Sequence, residues 1–217
     1  MIRLERTSVM NMDNAIRGMR NPMNSWDKSD SEVIDGVFRM GDADLKLARQ
    51  LCGAGADHRK FMRQIFVSVD ITAPLYWWKE YDTYKVGTVA NSTSTMHKIC
   101  DRELNFGDFS AERVTSTRGI QLLKYTIDEI NENIVLYKRS EDKADRADYF
   151  DNIIQLLPSS FNQMRTCTLN YENLFAMHHV RWNHKLREWR EFCLWSESLP
   201  YFCDICFGGE FKEAWHD

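Results

Sequence analysis

The sequence predicts a protein of the α+β class, because segments with strand and helix periodicity do not alternate regularly along the chain. In "FMRQIFVSVDITAP", apolar residues occupy every second position, as in a β-strand: Ile65, Val67, Val69 and Ile71. Between 112 and 158 the apolar residues recur at helical steps instead: Ile120, Leu123, Ile127, Ile130 and Ile134. These two patterns predict strands combined with at least one long helix.

The helices and strands can be assigned in chain order. Residues 1–30 are polar and are expected to be irregular in part, whereas "ADLKLARQLCGAG" (43–55) predicts a helix that stops at glycine. The strand at 65–71 comes next, and Pro74 suits the first turn of a helix over "PLYWWKEYDTYK". The segment 86–98 predicts a loop, or a loop leading to a short strand.

The second half is predicted to be mainly helical. Residues 112–158 indicate a long helix, a charged break near 141–148 and a short helix before Pro158. A strand over 159–170 precedes one helix, "TLNYENLFAMHHVRWNHKLREWREFCLW" (168–195), which ends before Leu199-Pro200. With no repeat and no linker, residues 1–217 are predicted to form a single domain.

Composition excludes several classes of function. The formal net charge of -4 gives no global basic field, so a polymeric nucleic acid is not an expected partner. No apolar run is long enough to cross a bilayer, and the N-terminal residues lack the apolar core of a signal peptide. We therefore expect a cytoplasmic protein without a membrane partner.

The six cysteines are scattered, unlike a disulfide framework, and are expected to be free thiols. Cys203 and Cys206 form a lone CxxC, which suggests half a metal site, a redox pair or two buried thiols. Without a second CxxC the buried thiols are the better interpretation, and no metal is predicted.

Asn170 and Arg181 are eleven residues apart, close to three helical turns, and so share one face of the last long helix. An amide and a guanidinium on one face can hold a ligand carbonyl or phosphate. The alternative is structural: Asn170 caps the helix, and Arg181 pairs with Glu188 or Glu191.

Two further places carry groups suited to ligands. In "KVGTVANSTST", Lys85 supplies a charge, a glycine permits close approach, and Asn91 and the hydroxyls offer hydrogen bonds; a polar turn is the alternative. His58 follows a small, flexible stretch and has basic neighbours, so it is either a structural histidine or part of an anion site.

The order of these features resembles the flavin-dependent thymidylate synthases. That family has a "GHxxxxEH" segment running into a strand, then "AP", a helix ending in RHR and a loop "SxNxxSxRY". Later come "LP", a strand with "TxNxRSLxxFxxLR" and a helix. The matching segments cover roughly 45–195: "HRKFMRQIFVSVDITAP", "LYWWKEYDTYKVGTVANSTSTMHK" and "LLPSSFNQMRTCTLNYENLFAMHHVRWNHKLREWR". Residues 1–30 have no counterpart.

The resemblance implies roles for individual residues. His58 matches a histidine beside flavin and folate, Lys85 the last residue of RHR, and Asn170 a flavin contact. Asn91 and Ser94 match the loop if one residue is inserted near Ala90, and the serine helps to hold the nucleotide. Arg181 matches the arginine that grips and polarises the uracil, which would stabilise the charge that develops during the reaction.

Several arginines of the pattern are replaced here. Thr83 and Tyr84 occupy the first two positions of RHR, Met96 stands in "SxRY", and Glu172 stands in "NxRSL". The arginine expected before "LP" meets the apolar "NIIQ". Other cations are available as substitutes: Lys98, Arg102, Arg146 and Arg165.

The resemblance implies the thymidylate synthase-complementing-protein-like fold, with a mixed sheet and long helices. It also implies a homotetramer with flavin sites shared between subunits. It further implies an FAD-dependent methyltransferase of dTMP biosynthesis. Such an enzyme transfers a one-carbon unit from methylenetetrahydrofolate to C5 of dUMP or a related pyrimidine nucleotide, with NADPH reducing the flavin. The replaced arginines favour the alternative, a non-catalytic homologue that binds nucleotide, flavin or a protein partner.

Overall fold

The computed structural model describes residues 1–209, which contain both strands and helices. The strands are β1 (Arg3–Met10), β2 (Glu32–Ile34), β3 (Val37–Arg39), β4 (Phe66–Pro74), β5 (Val89–Ser92) and β6 (Asn162–Asn170). The first helices are α1 (Met12–Gly18), α2 (Asp42–Gly53), α3 (Leu75–Tyr81), α4 (Thr95–Lys98) and α5 (Thr117–Arg139). The later helices are α6 (Lys143–Leu156), α7 (Tyr171–Arg181), α8 (Arg187–Glu197) and α9 (Phe202–Phe207).

The α+β prediction is confirmed by the sheet. Four strands pair in the order β1-β4-β6-β5, which places β4 between two neighbours. Its alternating residues Val67, Val69 and Ile71 are fully buried, as the period of two predicts. β2 and β3 form a separate antiparallel hairpin in which Val33 lies opposite Phe38. Asp35 and Gly36 make its turn, both with positive φ.

The chain divides into two compact units, each built from several segments. Of the described residues, the first unit contains 1–3, 71–83 and 91–165, and the second contains 4–70, 84–90 and 166–209. The predicted single domain over 1–217 also includes residues 210–217, which lie outside the described part. No helix within residues 1–209 is both long enough and apolar enough to cross a membrane.

The core of the first unit is formed largely by α5 and α6, which pack on each other. Its buried side chains are Ile99, Leu104, Phe109, Ala111, Ile127, Ile130, Ile134 and Ile153. Three isoleucines of α5 in this core are those whose helical spacing is visible in the sequence. The two helices are separated only near Ser140, because Asp142 caps α6 by accepting hydrogen bonds from the backbone of Ala144 and Asp145. The predicted break over 141–148 is therefore mostly helix.

The second unit contains a buried ion pair that holds the segment before α2. Arg20 Nε lies 2.5 Å from Asp44 Oδ1, and both residues are buried. Asp44 also accepts from Ser29 Oγ and from the backbone of Ser31. Burial would raise the pKa of Asp44, but these hydrogen bonds hold it below its ordinary value. The N-terminal region is thus ordered by a charged contact between distant residues.

Two sequence predictions are corrected by the structure. The single helix predicted over 168–195 is two helices: α7 ends at Arg181 and α8 begins at Arg187. In the turn between them the Leu186 backbone N–H donates to His184 Nδ1. Residues 1–30 contain β1 and α1 in addition to two short 3₁₀ segments. The signal for α1 is present in "NMDNAIRGMR", where Met12, Ala15, Ile16 and Met19 recur at helical spacing and are buried.

Candidate functional site

The N-terminal end of α7 is fixed by two asparagines. Asn170 ends β6 and caps α7: its Oδ1 accepts from the Asn173 backbone N–H at 3.0 Å. Asn173 Oδ1 accepts in return from the Asn170 backbone N–H at 3.2 Å, which completes a capping box. Asn170 is buried. The capping role anticipated for this residue is therefore present.

The segment 84–88 lies against this end of α7. Asn173 Nδ2 donates to the Val86 carbonyl at 2.9 Å. Gly87 has φ +76, and a Cβ there would lie 3.1 Å from Asn170 Nδ2 and 3.0 Å from Asn173 Oδ1. Glycine is required here both for its conformation and for its size. Lys85 lies in this segment and is exposed.

Arg181 ends α7 in contact with two aromatic rings. Its Nε donates to the Tyr84 hydroxyl at 2.8 Å. Its guanidinium carbon lies 4.8 Å from the Trp189 ring centroid and 5.5 Å from that of Tyr84. A cation at a helix C-terminus also interacts favourably with the helix dipole. Lys85, Asn170 and Arg181 are therefore brought to one helix and to the segment beside it.

The first turn of α7 also carries an ion-pair cluster. Glu172 accepts from Arg59 Nε at 3.2 Å and from Arg63, which reaches both of its carboxylate oxygens. Burial would raise the pKa of Glu172, but these two arginines hold it below the ordinary value. Because Arg59 follows His58 directly, the turn that carries His58 is tied to α7.

His58 lies at the edge of a cavity of about 750 Å³ in the second unit. The side chains around it combine amides, cations and apolar groups, among them Asn14, Arg17, Leu47, Leu51, Lys60 and Gln64. α1 supplies part of this wall, so the N-terminal segment contributes to the cavity. Sequence reasoning missed that contribution, although the helical spacing of α1 was visible.

Ser94 lies in the first unit, at a polar cavity of about 300 Å³. Its hydroxyl caps α4 by accepting from the His97 backbone N–H at 3.3 Å. Lys98 and Arg102 also line this cavity, but Lys98 pairs with Asp101 at 2.9 Å. Arg102 binds both carboxylate oxygens of Asp108. Asn91 lies on β5 and is exposed.

The remaining substitute cations, also in the first unit, differ in their surroundings. Arg165 lies 4.1 Å from the Trp78 ring centroid and pairs with Asp82 at 2.7 Å. Arg146 lies 4.6 Å from the Tyr137 ring centroid, and within residues 1–209 it has no carboxylate partner. It lines a separate cavity of about 460 Å³ with His97 and Lys143. Among the four substitutes, Arg146 is the one whose charge is not neutralised.

The CxxC cysteines lie on α9. Burial, followed by the nearby Glu197 and Asp204, raises the pKa of Cys203 to about 11. Burial also raises the pKa of Cys206, and a hydrogen bond shared with Cys52 on α2 acts in the same direction. In the described part of the chain no three ligand-type side chains are grouped as a metal would require.

Comparison of the whole fold with solved structures gives a consistent result. A thymidylate synthase X from Helicobacter pylori, crystallised with FAD and dUMP, superposes with a TM-score of 0.68 at 15% identity, covering 96% of this chain and 98% of that chain. A second structure of the flavin-dependent enzyme from the same organism, also with FAD and dUMP, gives 0.67 at 14% identity over 97% and 99%. The chain has the fold of the flavin-dependent thymidylate synthases.

A third similar structure widens the range of chemistry found on this fold. The UMP/dUMP methylase PolB from Streptomyces cacaoi, bound with 5-Br dUMP, has a TM-score of 0.60 at 15% identity, covering 94% of this chain and 91% of that chain. No family model and no curated protein sequence matches this chain. The synthase fold, expected from the resemblance, is therefore confirmed by structure and not by sequence similarity.

Proposed function

We propose that the protein is an FAD-dependent methyltransferase that transfers a one-carbon unit to C5 of dUMP or a related pyrimidine nucleotide. The observation that carries the proposal is the arrangement along α7. Asn170, the segment 84–88 and Arg181 are held together there on a thymidylate synthase fold. Because fold alone does not determine activity, the proposal depends on these side chains.

The cavity beside His58 fits the requirements of a flavin ring. Its volume of about 750 Å³ falls in the range of ligand pockets. Leu47 and Leu51 offer apolar surface, while Asn14 and Gln64 offer amides for the polar edge of a heteroaromatic ring. Arg17 and Lys60 supply positive charge for phosphate groups. His58, which lines this cavity, is assigned to binding FAD. Lys85, Asn91 and Asn170 do not line it, and they are assigned to FAD on the resemblance alone.

Arg181 is assigned to the pyrimidine. A guanidinium that donates to a pyrimidine carbonyl stabilises the negative charge that develops as C5 becomes nucleophilic. Its half-buried position strengthens this interaction relative to water. Ser94, at a polar cavity of the first unit, is assigned to holding the nucleotide.

The proposed reaction also needs a carbon donor and a reductant. Methylenetetrahydrofolate would donate the carbon unit, NADPH would supply the reducing equivalents, and the bound flavin would carry the hydride. The role of the protein is to hold the reactants in position and to exclude water.

The second candidate function is a non-catalytic homologue that binds a nucleotide, a flavin or a protein partner. The replacement of basic residues at Thr83, Tyr84 and Met96 favours it, because a bidentate phosphate contact is lost with each arginine. Such a protein would retain a ligand but would not form a methylated nucleotide.

The first experiment is the visible absorbance spectrum of the purified protein, before and after incubation with excess FAD and gel filtration. Retained flavin absorbance supports the cofactor assignment, and its absence under all conditions would remove the synthase proposal. The samples would then be incubated with dUMP, methylenetetrahydrofolate and NADPH, with Arg181→Ala as the variant and Arg118→Ala as an exposed control. Methylated product from wild type and from Arg118→Ala, but not from Arg181→Ala, supports the enzyme. Flavin retention without any methylated product supports the second candidate.

We also propose a cytoplasmic homotetramer. The six cysteines are unpaired, as expected in a reducing compartment. Light scattering after gel filtration would give about four times the chain mass of 25.6 kDa, and a monomeric mass would contradict the assembly.

A further inference from the structure

Tyr84 contacts Arg181 in two ways. Its hydroxyl accepts a hydrogen bond from Arg181 Nε, and its aromatic ring lies against the guanidinium. Trp189 lies against the same guanidinium and meets the Tyr84 ring edge-on, with centroids 5.9 Å apart. The cation is therefore in contact with both aromatic side chains and is hydrogen-bonded to one of them. An arginine constrained in this way loses less side-chain freedom when a ligand binds.

The backbone around Tyr84 is fixed as well. Thr88 Oγ1 donates to the Tyr84 carbonyl, and Asn173 holds the Val86 carbonyl. Gly87 permits the close approach of this segment to α7. The Tyr84 hydroxyl is thus placed by contacts near the start of α7, while the arginine that it orients ends the same helix.

The residue type at position 84 has a chemical consequence. The RHR pattern would place a histidine here, which can become a second cation beside Arg181. A phenol at neutral pH is uncharged and accepts a hydrogen bond through its oxygen without repelling the guanidinium. From the sequence alone, tyrosine at position 84 suggests the loss of a basic residue. In the structure it provides Arg181 with a neutral hydrogen-bond acceptor.

We propose that Tyr84 is a positioning residue that holds Arg181 in the orientation required to bind the pyrimidine. This inference rests on the proposed function, since it assumes that Arg181 contacts the nucleotide. It adds a role for Tyr84 and Trp189 that the synthase resemblance does not supply.

The direct test is Tyr84→Phe, which keeps the ring and removes the acceptor. We expect dUMP binding to weaken about tenfold, the effect of losing one hydrogen bond to a charged group, while flavin retention is unchanged. Tyr125→Phe, which removes an exposed hydroxyl on α5, is the matched control and should bind dUMP as wild type does. Circular dichroism would confirm that each variant is folded.

A second variant supplies a readout that a purely structural role would not change. In Tyr84→His, a neutral imidazole can accept from Arg181 but an imidazolium cannot. We expect dUMP affinity close to wild type at pH 8 and at least tenfold weaker at pH 5.5. Because His184 lies near Trp189, wild type and Tyr84→Phe must be titrated over the same range.

The outcomes separate the two proposals. Wild type that binds dUMP no more tightly than Tyr84→Phe overturns the inference and leaves the proposed function in place. A pH dependence of Tyr84→His that equals that of wild type also overturns it. Wild type that binds neither flavin nor dUMP removes the proposed function, and this inference with it.

Discussion

Glu172 and Met96 both stand where the synthase pattern has an arginine, but their surroundings differ. Glu172 is half-buried and is bound by Arg59 and Arg63. In "GHxxxxEH" the glutamate falls at position 63, so this chain has arginine where the pattern has glutamate and glutamate where it has arginine. The charges at 63 and 172 are exchanged, and the two side chains form an ion pair.

At Met96 the charge is lost without such an exchange. The side chain is 58% exposed on the short helix α4, and the nearest cation along the chain, Lys98, is paired with Asp101. A departure from a motif must therefore be judged together with the residues that the replaced side chain contacts. Position 172 forms ion pairs with nearby arginines, whereas position 96 has no cation in place of the arginine of the pattern.

The largest effect is expected from breaking the exchanged pair. Glu172→Arg would place three guanidinium groups together at the first turn of α7, where positive charge is also unfavourable to the helix dipole. We expect a loss of about 3 kcal/mol in the free energy of unfolding, measured by urea denaturation. The exposed Glu132→Arg, with the same charge change, should lie within about 0.5 kcal/mol of wild type.

The reciprocal change sharpens this test. Adding Arg63→Glu to Glu172→Arg restores opposite charges at the two positions and should recover at least about 1 kcal/mol. If the double variant is no more stable than Glu172→Arg alone, positions 63 and 172 are not an exchanged pair.

A smaller effect is expected on the pH dependence of stability. The folded pKa of Glu172 lies below its unfolded value of about 4.3, so its contribution is complete above that value and is lost as pH falls through the folded pKa. Glu172→Gln should be about 1–2 kcal/mol less stable than wild type at pH 7. This difference should shrink as pH is lowered to about 3.5. A difference that stays constant over this range would show that the carboxylate charge is not responsible.

The next effect concerns ligand affinity and rests on the proposed function. Met96→Arg restores the lost cation on an exposed surface, where stability should change by less than about 0.5 kcal/mol. A new charge-assisted hydrogen bond to the nucleotide phosphate would tighten dUMP binding about tenfold at low salt. Calorimetric titration would measure it, with Met96→Gln as the uncharged control. Equal affinities for the two variants would mean that no phosphate approaches this position.

The smallest effect is expected at the cap of α4. Ser94→Ala removes the side-chain acceptor for the His97 N–H and should cost about 0.5–1 kcal/mol of stability. Ser94→Thr keeps an acceptor and should cost less. A loss above about 2 kcal/mol in thermal unfolding would show that Ser94 stabilises the protein by more than its hydrogen bond to the His97 N–H.

The elements that were predicted correctly are those defined by local spacing. β4 alternates between apolar and polar residues, α2 ends in glycine, and α5 repeats its isoleucines every three or four positions. Each of these signals lies within one helix or strand and can be recognised without knowing which other elements pack against it. The Asp35-Gly36 turn of the β2–β3 hairpin is a comparable local signal in the sequence.

The contacts between distant residues were not predictable in the same way. The turn between α7 and α8 contains a hydrogen bond from the Leu186 backbone to the His184 ring, which periodicity does not reveal. Asn170 and Arg181 were found from their spacing, but Tyr84 was interpreted as a defect of the RHR motif. Its bond to Arg181 joins positions 97 residues apart, and a single sequence contains no record of such a pair.

The interleaving of the two units has a practical consequence for dissecting the protein. The chain passes from one unit to the other after residues 3, 70, 83, 90 and 165, and four of these crossings lie inside strands, namely β1, β4, β5 and β6. No single truncation can therefore yield either unit intact, and a nick in β4 or β6 would interrupt both units. Exchange of modules with a homologue by simple recombination is blocked for the same reason, so gene fusions and affinity tags belong at the chain termini.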